Sequence, residues 1–283
     1  SSHVLAQFEA LRWTPIRTPS DEDFFAVTPS EVSALVLGSE SVWYAADIPN
    51  SSLYRTLDGG RTWDDGIEDA LLDATPTPTL PVWDLAVAPD DPDFIVAVTD
   101  GRQEVYVSQD GGDSWEALPS PSTAAEWVPG HVIADVAVSP LYGDNEQRDV
   151  AVGIRLPNGA ADGDVIVIQL DTLIGSWRGQ GLDADVSRVA FSPNYDDDET
   201  IIAIVSDTTG TFLATGYRVI GSNTTLWEVT NPYYIEISHM NTGALSPRED
   251  QLIYSDIVVP PDYDGDNASK RVVYVSYAST VYL

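Results

Sequence analysis

The chain has 283 residues, with 45 acidic against 13 basic, and a formal charge of -32 at pH 7. A field of that sign repels phosphate at long range, which argues against nucleic acid and anionic membranes as partners and leaves cations as the expected company. A hydrophobic fraction of 43% and an aromatic fraction of 10% are too high for acidity to mean disorder, and the length suffices to bury a large core.

Along the chain, nearly every apolar run is short, rich in Val, Ile, Tyr or Thr, and closed by Gly, Pro, Asp or Asn, the pattern of β-strands. First come VSALVL (Val32 to Leu37), VWDLAVAP (Val82 to Pro89), VIADVAVSP (Val132 to Pro140), VSRVAFSP (Val186 to Pro193) and SDIVVPP (Ser255 to Pro261). Second runs follow (FIVAVTD, DVAVGIRL, TIIAIVSD, RVVYVSY), then third runs (EVYVSQD, DVIVIQLD, TFLATGY), and a tryptophan opens a fourth (Trp63, Trp115, Trp177, Trp227). The second runs are nearly all apolar, as a central strand covered on both faces requires. No span shows a sustained helical period.

Pro89, Pro140 and Pro193 lie 51 and 53 residues apart, and Gly38 stands 51 before Pro89. A period of about fifty residues is that of a four-stranded propeller blade. The expected fold is all-β: one β-propeller domain over residues 1–283, built of four-stranded antiparallel blades. About five blades are visible, with fourth strands near residues 13, 63, 115, 177 and 227. Trp13, in LRWTPIRTP, matches Trp115 in DSWEALPSP, so the N-terminus reads as a fourth strand without its first three. Ile257 to Leu283 supplies the missing strands, and joining the two closes a blade without an open edge. The alternative is a fragment of a seven- or eight-bladed ring, with Glu228 to Tyr254 as an insertion or a degenerate blade.

Two stretches match closely, YRTLDGGRTWDD (Tyr54 to Asp65) and YVSQDGGDSWEA (Tyr106 to Ala117). In each, an Asp accepts N–H bonds within a hairpin turn, Gly supplies positive φ, and Trp packs on the strand pair. Asp58, Gly60, Thr62 and Trp63 answer to Asp110, Gly112, Ser114 and Trp115. The motif resembles the Asp-box, or BNR repeat, of sialidases, sortilin-type domains, xyloglucanases and photosystem assembly propellers. That resemblance implies a propeller fold and a structural role for these residues. LDTLIGSW (Leu170 to Trp177) and SNTTLW (Ser222 to Trp227) look like decayed copies. FSPNYDDDETIIAI, SPLYGDNEQRDVAV and PPDYDGDNASKRVVYV further resemble repeat propellers of bacterial cell-surface, S-layer-like proteins.

The same turns concentrate oxygen ligands at alternate positions: Asp262, Asp264 and Asp266, with Asn267 nearby, and Asn194, Asp196 and Asp198. Such spacing suits calcium, although the early glycine and the missing acidic twelfth position depart from an EF-hand loop. The other reading is a solvated hairpin whose Asp and Asn residues stabilise turns. Sequons at Asn50, Asn223 and Asn267 are compatible with glycosylation.

Catalytic signals are absent from the motifs. His3, His131 and His239 are widely separated, no serine sits in a nucleophile elbow, and the DGG turns are not phosphate loops. Arginines such as Arg55, Arg102, Arg155, Arg188 and Arg218 allow a blade-spaced set, but the overall charge disfavours an anionic sugar. A hydrolase of neutral glycans needs two carboxylates about 5 to 9 Å apart, and no pair stands out among the acidic residues. Trp43, Tyr44, Trp83, Trp127, Tyr233 and Tyr234 are candidates for exposed aromatic platforms, Trp127 foremost. No apolar run approaches the roughly 20 residues of a membrane span, the start lacks the regions of a signal peptide, and the chain has no cysteine. The expected function is a non-enzymatic module outside the cell or on its surface, calcium-stabilised and self-assembling, with copies of itself, other surface proteins or glycans as partners. A neutral-glycan hydrolase and a propeller-type assembly factor are the alternatives.

Overall fold

The computed structural model describes residues 32–157, 162–170, 175–207, 210–228, 235–239 and 252–279. These form five antiparallel sheets in chain order. Blade 1 holds β1 (Val32–Leu37), β2 (Trp43–Asp47) and β3 (Ser52–Thr56). Blade 2 holds β4 (Asp84–Ala88), β5 (Asp91–Thr99), β6 (Glu104–Ser108) and β7 (Glu116–Ala117). Blade 3 holds β8 (Val132–Val138), β9 (Arg148–Arg155), β10 (Asp164–Leu170) and β11 (Arg178–Gly179). Blade 4 is β12 (Asp185–Phe191), β13 (Thr200–Ser206), β14 (Gly210–Val219) and β15 (Thr224–Glu228), with β16 (Ile235–His239) on the other half of β14's outer edge. Blade 5 is represented by β17 (Leu252–Val258) and β18 (Tyr274–Ser279).

Each blade is a meander whose first strand packs beside the first strand of the next, from β1 through β4, β8 and β12 to β17. First strands are therefore innermost and fourth strands outermost, the arrangement of a β-propeller. The tryptophans mark the outer strands as expected. Trp115 and Trp177 directly precede β7 and β11, Trp227 lies in β15, and Trp63 adjoins the Arg55–Asp64 bridge that stands in for blade 1's fourth strand. Trp13, residues 1–31 and the last residues of the chain lie outside the described residues, so the N-to-C closure does too.

Period-2 alternation gives every blade two faces, and burying both requires apolar residues throughout the middle strands. Tyr44 and Ala46 of blade 1 pack on Leu85, Ile95 and Ala97 of blade 2. The opposite face of blade 2, with Ala86, Val96 and Val98, packs on Val136, Val150 and Val152. Ala137, Ala151 and Val165 then meet Val189, Ile201 and Ala203. Ile202, Ile204 and Leu213 carry the series on to Ile257, Val273 and Val275. We call the face toward the next blade the front and the other the back.

Two short helices interrupt the strands where none was expected. In α1 (Ile67–Leu72), Ile67 and Leu71 are one turn apart and fill the joint between blades 1 and 2. In α2 (Tyr195–Asp198), a single turn links β12 to β13.

Candidate functional site

The inner strands carry a repeated polar station. Counting back from the turn prolines, Asp84, Asp135 and Arg188 occupy the same front-facing place in blades 2, 3 and 4, and Asp256 takes it in blade 5. In blades 3 and 4 a β-bulge precedes the station, at Ala134 and Ser187, and such bulges re-aim the side chain that follows. Arg188 Nη1 lies 3.6 Å from Asp135 and its Nε 3.9 Å from Asp256. The carboxylates also staple consecutive inner strands: Asp135 accepts the Val189 N–H at 2.7 Å, and Asp84 accepts those of Leu85 and Val136.

Burial pushes the Asp84 carboxyl up to about 6, against the pull of Arg188, the Leu85 N–H and Arg102. Asp135 is raised well above the ordinary carboxyl range by burial and by the charge of Asp84. Sequence reasoning missed this station, although its signal was present: a polar residue five places before the turn proline in WDLAVAP, ADVAVSP and SRVAFSP.

Near this station Arg102 stacks on Trp83, with Cζ 5.2 Å from the ring centroid, and donates to the Ile133 carbonyl at 3.2 Å. Trp127 is half-buried rather than exposed, packed edge-on against His131 at 5.8 Å. His131 Nδ1 accepts the Val128 N–H. Tyr44 is buried, Trp43 and Trp83 are partly so, and Tyr233 and Tyr234 lie outside the described residues.

The two matching outer turns have one geometry. Asp58 Oδ1 accepts the Thr62 N–H at 2.8 Å, its Oδ2 accepts the Thr62 hydroxyl at 2.8 Å, and the Gly60 N–H donates to Thr56 Oγ1. Asp110 Oδ1 likewise accepts the Ser114 N–H at 2.8 Å and its Oδ2 the Ser114 hydroxyl at 2.5 Å, while the Gly112 N–H donates to Ser108 Oγ. Gly59, Gly60, Gly111 and Gly112 all have positive φ, which explains the paired glycines. The Thr62 N–H and then its hydroxyl draw the Asp58 carboxyl down to about 2. Trp115 donates to the Gly112 carbonyl, and Trp63 packs on Trp43. The blade 2 turn is also gripped by blade 1, through Arg55 Nη1 to the Gly111 carbonyl at 2.8 Å and to Asp113 at 2.9 Å. Of the decayed copies, SNTTLW forms a turn with Asn223 in the left-handed region, and residues 171–174 of the other lie outside the described residues.

The acidic turns between first and second strands do not converge on a common point. Because α2 is helical, Asp196 and Asp198, two residues apart, point to opposite sides. Asp196 reaches back to the Gly143 N–H of blade 3 at 2.6 Å. Asp198 is buried and accepts from Ser192 Oγ, from the Thr200 N–H and from the Gly265 N–H of blade 5 at 2.7 Å. The Pro260–Arg271 loop is thereby docked on blade 4, with Tyr263 as its buried anchor. Asp262 and Asp266 are exposed, and Asp264 accepts the Asp266 N–H within the loop. Among the described residues no group of three or more His, Cys, Asp or Glu side chains is placed to hold a metal ion. Asp90 of blade 2 makes an equivalent tie, to Arg148 at 2.7 Å and to the Leu141 N–H. Of the sequons, Asn50 and Asn267 are exposed, whereas Asn223 accepts from Arg218 Nη2 at 2.7 Å.

Between blades 3 and 4 lies a wholly buried ion pair, Arg218 to Asp149 at 3.0 Å. Asp149 also accepts the Tyr142 and Tyr195 hydroxyls at 2.7 and 2.8 Å, and Arg218 donates to Gln180 at 2.6 Å. Burial, then the charge of Asp149, holds both tyrosines far above their ordinary range.

No family model and no curated protein matches the chain. Among solved structures it is similar to YCF48 bound to D1 peptide, at 13% identity and a TM-score of 0.43, over 88% of this chain and 61% of that one. The GH74 enzyme of Niastella koreensis is similar at 19% identity and a TM-score of 0.42, over 69% of this chain and 29% of that one. The GH74 xyloglucanase of Xanthomonas campestris follows at 15% identity and 0.41, over 64% and 28%. The chain thus spans less than two thirds of the length of each.

Proposed function

We propose that the chain is a non-enzymatic propeller module that acts outside the cell and associates with copies of itself through the faces of its terminal blades. One observation carries this reading. On the back of blade 1, Leu35 is 52% exposed, whereas Leu85, its counterpart in blade 2, is 4% exposed. On the front of blade 5, Tyr274 is 64% exposed where the matching Ile202 of blade 4 is 0%. Leu37 and Val258 extend the two patches. One back and one front are the two halves of a further blade-to-blade joint, and joining them between molecules gives a head-to-tail contact.

The remaining chemistry supports a scaffold. Asp84, Asp135, Asp90, Asp196 and Asp198 are committed to N–H groups of adjacent strands or blades, and in this reading the Asp58 and Asp110 turns are Asp-boxes that brace the outer hairpins. Sedimentation velocity on the wild type and on Leu35→Glu and Tyr274→Glu tests the proposal. Wild type is expected to form a concentration-dependent series of oligomers, each variant alone to be a monomer, and the two mixed to stop at a 1:1 dimer. A wild type that stays monomeric at all concentrations would overturn the assembly reading.

A further inference from the structure

The outer edge of blade 4 is forked. β15 pairs with the Thr215–Val219 half of β14 and β16 with the Gly210–Leu213 half, so the two part at Ala214. The Pro260–Arg271 loop, which docks on this blade, belongs to the longest connection between first and second strands in any described blade. Between loop and blade lies a cavity of about 480 Å³, open to solvent on one side. Blade 4 contributes Leu213, Thr215 and Ile235 to it, and the loop side contributes Tyr263 and the run from Arg271 to Val273. Ile235, Ala268 and Val272 are exposed and stand at the mouth, so a molecule from outside reaches the cavity without local opening.

The lining is mainly aliphatic, and its polar groups are donors. Tyr263 is 2% exposed, yet its hydroxyl makes no hydrogen bond among the described residues. Burial and then the charge of Asp198 push that hydroxyl up to about 12, so it keeps its proton at pH 7. The Arg271 guanidinium offers only N–H donors, and the Thr215 hydroxyl adds one more. A buried hydroxyl left without a partner is costly, so the wall favours a molecule that brings an acceptor. Size, apolar lining and a few polar groups together match the usual form of a small-molecule site.

We infer that this cavity binds an uncharged, largely apolar small molecule through a carbonyl-type acceptor that takes the Tyr263 hydroxyl. Charge sets the class of ligand. Arg271 in the wall repels a cation, whereas the field of the chain, with a net charge of -32, and the carboxylates of Asp198, Asp264 and Glu228 around Tyr263 oppose an anion. The cavity lies on the back of blade 5, with Val273, whereas Tyr274 of the assembly face points to the front.

Equilibrium dialysis of the full chain at pH 7 provides the test, with probes built on one ring system. The ketone 2-acetylnaphthalene carries the acceptor, naphthalene lacks it, and 2-naphthoate is charged. Saturable binding of the ketone is expected, about three- to tenfold tighter than that of naphthalene, the range of one net hydrogen bond, with 2-naphthoate weaker than the ketone. Tyr263→Phe should bring the ketone down to the affinity of naphthalene and leave naphthalene itself unchanged, a split that a general loss of packing does not produce. Ala268→Trp, at the exposed mouth, should weaken both at least tenfold with unchanged circular dichroism. Leu57→Ala, on the exposed surface of blade 1, should change neither. Absence of saturable ketone binding, tighter binding of 2-naphthoate, or undiminished ketone affinity in either Tyr263→Phe or Ala268→Trp would overturn the inference. Each of these results leaves the assembly proposal untouched.

Discussion

Neutralising Asp149 isolates the ion pair that is wholly buried among the described residues. Arg218 and Asp149 are both 0% exposed and lie 3.0 Å apart, so Asp149→Asn leaves a guanidinium in the interior without a counter-charge. Removing one partner of such a pair costs about 3 to 5 kcal/mol, because the surviving charge stays desolvated. The retained donations from Arg218 to Gln180 and Asn223 place this case toward the lower end. Urea unfolding at pH 7 should therefore show a loss of about 3 kcal/mol for Asp149→Asn, and a similar loss for Arg218→Met. The double variant Asp149→Leu, Arg218→Met removes both charges but strands the Tyr142 and Tyr195 hydroxyls, so it should recover only part of the loss. An Asp149→Asn protein within about 1 kcal/mol of wild type would refute the view that this pair locks blade 3 to blade 4.

The other expectations concern pH, capping and one loop. Asp58 is drawn from 3.8 to about 2 in the folded chain, so its contribution is present above about pH 4 and lost as pH falls through 2; Asp58→Asn should flatten acid unfolding in that window. Asp84 moves the other way, from 3.8 to about 6, so stability falls as pH rises between those values, and Asp84→Asn should remove that fall in melting curves at pH 4 and pH 7. Asp164 accepts the backbone N–H groups of Val165, Gln180, Gly181 and Leu182. Asp164→Ala strands these donors and should cost about 3 kcal/mol in urea, by the penalty for unsatisfied buried groups. A Cβ at position 265 would collide with Thr200 Oγ1, so Gly265→Ala should release the Pro260–Arg271 loop and speed tryptic cleavage at Lys270, as should Asp198→Ala.

The blades were legible in the sequence because strands buried on both faces read as unbroken Val and Ile runs, as TIIAIV and DVAVGI do, and because a tryptophan marks the outer edge of each of blades 1 to 4 among the described residues. What escaped depended on pairs far apart in the chain. Asp149 and Arg218 are 69 residues apart and nothing local announces them. The alternating acids of Asn194 to Asp198 suggest a cation by their spacing in a turn, and spacing alone does not say which way each side chain points. The single turn of α2 sends Asp196 and Asp198 to opposite sides, and each finds an N–H donor on a different blade. The six residues of α1 were too few to show a period, and their apolar pair is visible only against the joint that they fill.

The two-faced construction of each blade gives the molecule a one-dimensional energetic logic. A blade interacts through its front and its back, so stability is a sum of joints between neighbours, and a lesion in one joint is felt chiefly by the two sheets that share it. Blades 2, 3 and 4 each contribute to two described joints, whereas the outer sheets contribute to one. Opening should then begin at the ends of the series and move inward, and amide protons of β9 should outlast those of β2 and β18 in exchange. A surface that captured either terminal face would stop that fraying, so recruitment of a partner and resistance to unfolding would be one and the same event.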